Sequence, residues 1–146
     1  MDANETMREG ALLEVGGGSA WMKKHGTHYL VDGAMIHVRC ISETTITGTR
    51  CPFNINPSTL EADFELWVCG SPNDYYLIPY PIIRSMYDDP AAYPDKAHKN
   101  IYIVNVDLVS DLVFYGCNRM VDATPFRNVT LRELRAKLRD VGSPER

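Results

Sequence analysis

Three side chains capable of chemistry are brought together by one tight reversal. Asp32-Gly33 is flanked by apolar-rich runs on both sides, and this dipeptide is the strongest short-range signal for a two-residue type I′ hairpin. With the turn at 32 and 33, Val31 faces Ala34, Leu30 faces Met35, Tyr29 faces Ile36, and His28 faces His37. Side chains alternate between faces along a strand. One face then carries His28, Leu30, Met35, His37, Arg39 and Ile41. The other carries Tyr29, Val31, Ile36, Val38 and Cys40 and reads as core. An imidazole can act as a general base or a metal ligand near neutral pH, and a guanidinium binds phosphate bidentately. The plainer reading of the same residues is a cross-strand histidine pair with satisfied hydrogen bonds.

The rest of the chain bounds what those residues can be part of. The sequence has 146 residues and a formal net charge of −4, which fits one domain with a substantial core. That charge excludes a protein that coats nucleic acid indiscriminately, though it allows a local basic patch. No apolar run reaches the roughly 18 residues needed to span a bilayer, so no membrane partner is expected. The acidic start Met1-Asp2-Ala3-Asn4-Glu5 lacks the basic and apolar regions of a signal peptide. Cys40, Cys51, Cys69 and Cys117 have no close paired spacing and read as free thiols, mostly buried, in a cytoplasmic protein.

The elements that must position the three side chains follow in order. Residues 1–5 read as a frayed start, and 6–15 as a helix stopped by Gly16-Gly17-Gly18. That triple glycine lacks the Gly-Lys-Ser/Thr ending of a phosphate loop. Residues 19–26 read as a short helix with Trp21 and Met22 inward and Lys23, Lys24 and His25 outward. Residues 43–57 read as an irregular crossing with an edge strand at 51–55, and 58–61 as a turn. A strand at 62–69, a turn at 70–74 and a strand at 75–79 make a second hairpin. A helix at 80–87, a loop at 88–99 and a strand at 100–106 follow, and 108–115 is ambiguous between strand and helix. Thr130 and Glu133 form a capping box that opens a basic helix at 130–140, and 141–146 is a tail. The region holds Arg127, Arg132, Arg135, Lys137 and Arg139 against Glu133, a local charge of +4. Such a surface suits phosphates, and it equally suits an ordinary solvated helix. The expected architecture is one α/β (α+β) domain with a mixed central sheet flanked by helices.

The runs Leu30-Val31-Asp32-Gly33 with Ile36-His37-Val38-Arg39, Ala62-Asp63-Phe64-Glu65-Leu66-Trp67-Val68, and Tyr75-Tyr76-Leu77-Ile78-Pro79 resemble the small PD-(D/E)XK nucleases of the restriction-endonuclease-like fold, homing-endonuclease types among them. The resemblance covers roughly residues 10 to 85. It implies a DNA partner, a divalent metal and an oligomer that reaches both strands. It also puts the first catalytic acid near His28, the second on His37 and the lysine on Arg39, and none of the three is the expected residue type. In that family two carboxylates hold a hard Mg²⁺ that activates water. Histidines favour Zn²⁺ or another softer ion, and the pKa of an arginine is too high to move a proton. Glu14, Asp63 or Glu65 could supply carboxylates from neighbouring elements to a Mg²⁺, Mn²⁺ or Zn²⁺ site. Three readings therefore stand. The first is a degenerate, non-cleaving member that binds nucleic acid or a protein partner. The second is an active metal-dependent endonuclease with catalytic His28, His37 and Arg39. The third is an unrelated α/β interaction subunit.

Overall fold

The computed structural model describes residues 3–140. Helix α1 (Ala3–Gly16) leads into three consecutive strands, β1 (Trp21–His25), β2 (His28–Val31) and β3 (Ala34–Ile41). Strand β4 (Arg50–Ile55) and a 3₁₀ turn at Thr59–Glu61 precede the hairpin of β5 (Phe64–Ser71) and β6 (Asp74–Pro79). Helix α2 (Tyr80–Tyr87), strands β7 (Tyr102–Asp107), β8 (Leu112–Gly116) and β9 (Arg119–Asp122), and helix α3 (Leu131–Asp140) complete the chain.

The first sheet has the order β1-β2-β3-β5-β6 and is mixed, because β3 and β5 run parallel while the other neighbours are antiparallel. A parallel pair needs a long crossover, and here residues 42–63 provide it. The second sheet, β4-β7-β8-β9, is antiparallel throughout. One face of the first sheet buries Tyr29, Val31, Ile36, Val38, Leu66 and Leu77 against α1 and α3. Its other face buries Trp67, Tyr76 and Ile78 against α2 and the second sheet. Strand β5 is therefore covered on both sides and reads as an almost unbroken buried run, as strands inside layered folds do.

The described residues form a single α+β domain with a mixed sheet, as expected. The expected flanking layer of helices is present on one side, whereas a second sheet stands beside α2 on the other. Four local expectations change. Residues 3–5 belong to α1 instead of a frayed end. Residues 21–25 are strand β1, whose register with β2 outweighs their helix-like composition. The ambiguous stretch after 107 becomes β8, and the reversal at Cys117-Asn118, with Asn118 at φ 55°, adds the unexpected β9. The capping box of α3 is present: the Glu133 backbone N–H donates to Thr130 Oγ1 at 3.1 Å, and the Thr130 N–H donates to Glu133 Oε1 at 3.0 Å. The tail expected at 141–146 lies outside the described residues. No described helix is long and apolar enough to cross a membrane. Cys51 and Cys69 are buried, Cys40 is half-buried, Cys117 is exposed, and all four are free thiols.

Candidate functional site

The reversal at Asp32-Gly33 forms as the dipeptide requires. Both residues have positive φ, 47° and 81°, the type I′ conformation. Its register pairs His28 with His37 directly. The two buried imidazoles sit 4.6 Å apart between ring centroids.

The parallel pairing of β3 with β5 adds a residue. His37 registers with Glu65 and Arg39 with Trp67, so the Glu65 carboxylate meets the imidazole from the neighbouring strand. His37 Nδ1 lies 2.8 Å from Oε2 and 2.9 Å from Oε1 of Glu65, and the Trp67 indole N–H donates to Oε1 at 3.2 Å. Glu65 is 1% exposed and His37 3%. Burial pushes the Glu65 carboxyl well above its ordinary range, opposed by Arg39 and the Trp67 hydrogen bond. Burial, helped by the Arg39 charge, lowers His37 to about 4. Both shifts have one physical cause, since a dry site disfavours either ion. Burial thus disfavours the charged form of each group, and the 2.8 Å contact joins them by a hydrogen bond.

Arg39 stands beside this couple without closing it. Its Nε is 3.8 Å from Glu65 Oε1, too far for a hydrogen bond, and that buried Nε makes none among the described residues. Strand β2 ends opposite His37; the Val38 N–H still donates to the Thr27 carbonyl at 2.9 Å, and β3 then continues through Arg39 to Ile41 beyond the end of β2. A cleft of about 460 Å³ follows this edge, lined by Arg8 of α1, His37, Arg39, Phe53 and Asn54 of β4, and Asp95. It offers guanidinium groups, an amide and an uncovered strand edge to an anion.

The histidine array extends outward through a residue that the sequence reading placed on a helix. The Gly26-Thr27 reversal, with Gly26 at φ 53°, pairs His25 with His28. The two rings stack at 4.5 Å and 20°. His28 Nε2–H donates to the Ser58 carbonyl at 3.2 Å, and Glu61 Oε2 lies 4.0 Å from Nε2 of both His25 and His28. Two readable signals point to these additions. One is a lone acid inside the apolar run at 64–69, and the other is a Gly-Thr pair between two histidines.

The remaining expected site residues lie elsewhere. Glu14 is exposed on α1, which packs against the opposite face of the sheet from the histidines. Asp63 Oδ2 accepts the Met35 backbone N–H at 2.9 Å and so ties β3 to the start of β5. Neither lies with the histidines. The basic cluster is also dispersed. Arg127 is an internal clamp, donating to Asp111 at 2.7 Å and Asp74 at 3.0 Å with Tyr76 beneath it. Arg135 donates to the Asp32 carbonyl at 2.8 Å, and Lys137 to the Pro125 carbonyl at 3.2 Å. Arg132 and Arg139 are exposed on α3. No family model, curated protein or solved structure matches this chain.

Proposed function

We propose that this protein binds DNA through its phosphate backbone at the Arg39 cleft, and that it does so without cutting by the two-carboxylate, metal-dependent route. The observation that carries this reading is the state of Arg39. It is a half-buried guanidinium on an uncovered strand edge, its Nε lacks a hydrogen-bond partner among the described residues, and it faces a cleft also lined by Arg8. The exposed part of that guanidinium, whose side chain is 29% accessible, would give a phosphate oxygen a charge-assisted bond.

The neighbouring chemistry favours binding over hydrolysis. Glu65 is committed to His37 and Trp67, so it is poorly placed to serve as the hard oxygen ligand that Mg²⁺ needs. Arg39 cannot exchange a proton with an attacking water. Kinship with the PD-(D/E)XK nucleases remains part of this proposal and rests on the strand motifs. The fold supplies the mixed sheet such a kinship requires and adds a second sheet beside it.

Incubation of supercoiled plasmid with the protein and Mg²⁺ or Mn²⁺, followed by a gel-shift assay on the same DNA, tests both halves. Binding with the plasmid left intact is the expected result. Nicking that Arg39→Ala abolishes would overturn the non-cleaving half, and the absence of any shift at low salt would overturn the binding half.

A further inference from the structure

We propose that His25, His28 and Glu61 form a binding site for a divalent ion of the zinc class. The ligand atoms of these three residues all lie within 4.8 Å of one another. They come from two elements: His25 and His28 flank the β1–β2 reversal, and Glu61 ends the 3₁₀ turn before β5. The near-parallel stack of the two rings turns both Nε2 atoms towards the same carboxylate oxygen, 4.0 Å from each.

Zinc bonds of about 2.0–2.2 Å in a tetrahedron set neighbouring ligand atoms roughly 3.3 Å apart. Closing from 4.0 Å needs only a small inward movement. Only one of the three ligands is fixed. His28 is 5% exposed and packed between His25 and His37, whereas the side chains of His25 and Glu61 are 66% and 63% exposed. Two imidazoles and one carboxylate suit Zn²⁺, Co²⁺ or Ni²⁺, while Mg²⁺ favours an all-oxygen set. On binding, the His28 Nε2 proton, now given to the Ser58 carbonyl, would move to Nδ1, so that the neutral ring coordinates through Nε2 with no proton lost from it. A bound ion also staples the β1–β2 hairpin to the segment before β5. This site is separate from the Arg39 cleft and does not depend on the DNA reading.

Titration of the full-length, metal-free protein with zinc sulfate, followed by calorimetry and thermal melting, tests the site. One equivalent of zinc should bind and raise the melting temperature by mass action. His25→Ala and Glu61→Gln change exposed side chains, and each should weaken binding roughly tenfold or more. His98→Ala and Cys117→Ser should leave binding unchanged. Co²⁺ should give the visible bands of a low-coordinate nitrogen–oxygen site, and His25→Ala should remove them. Three results would overturn the site: no stoichiometric binding at about 100 µM zinc, binding undiminished in the His25→Ala/Glu61→Gln double variant, or binding lost in His98→Ala or Cys117→Ser instead.

Discussion

Burying a carboxylate inside a sheet is costly unless its oxygens are bonded, and Glu65 sits 1% exposed with His37 and Trp67 against it and Arg39 nearby. The titration of this couple has a readable sign. His37 is depressed from 6.5 to about 4, so its contribution to stability is present above pH 6.5 and is lost as pH falls through 4. Glu65 is raised above 4.5, so its contribution is present below 4.5 and is lost as pH rises towards its folded value. Between 4.5 and 6.5 the two slopes oppose each other, since the lowered His37 favours the folded state as pH rises and the raised Glu65 favours it as pH falls. Glu65→Gln removes one arm. The variant should lose stability relative to wild type as pH falls through that window, by up to about 1.4 kcal/mol per pH unit. Urea unfolding across the window measures this, and parallel curves would contradict the opposed shifts of the pair. His28, His37 and Arg39 were legible at this scale because a two-residue turn fixes a register outright. Glu65 was visible only as one of three candidate carboxylates. Its pairing with His37 depends on a parallel neighbour that no local signal announces. Glu14 and Asp63 were equally plausible acids by type, and the fold spends one on an exposed helix face and the other on a backbone N–H.

Among the elements, the strongest local signals survive intact: the hairpin at Asp32-Gly33, the β5–β6 hairpin, α2, and the capped α3. Misreadings fall on edge strands. The side chains of β1 are mostly exposed, so burial imposes no alternation of apolar and polar residues, and its lysines protect an open edge while looking like a helix surface. The short β9, an edge of the second sheet, has the same difficulty. Two glycines separate conformational cost from packing cost. Gly33 needs φ 81°, yet an added Cβ would meet nothing within 4 Å, so Gly33→Ala should cost about 1 kcal/mol through backbone strain. At Gly116 an added Cβ would run into the Ala91 backbone carbonyl, and two backbones packed together cannot give way as a side chain can. Gly116→Ala should therefore be the more damaging, by roughly 2 kcal/mol or more. Denaturation midpoints of the two variants decide this, and a milder effect at Gly116 would contradict the packing.

For the molecule as a whole, length indicated one domain and the order of elements a mixed α+β sheet, and the described residues form both. The second sheet escaped notice because β4 joins the consecutive strands β7, β8 and β9 from a distant part of the chain. Their apolar residues are as consistent with a helix-covered face as with another sheet. The formal charge of −4 means that any attraction to DNA must be local. The expected basic face is largely tied up internally, since Arg127, Arg135 and Lys137 all bond within the fold. That shifts the weight of the DNA reading from α3 to the cleft at Arg39. Arg127→Met should consequently destabilise the protein by on the order of 2 kcal/mol, because Asp74 and Asp111 lose their partner, while the salt dependence of DNA binding measured on the folded variant stays as in wild type. The most direct test of the cleft is the slope of log Kd against log salt for duplex DNA, compared between wild type and Arg39→Ala. If Arg39 holds a phosphate, the slope should become shallower by about one in the variant. An unchanged slope would show that Arg39 touches no phosphate and would contradict the account.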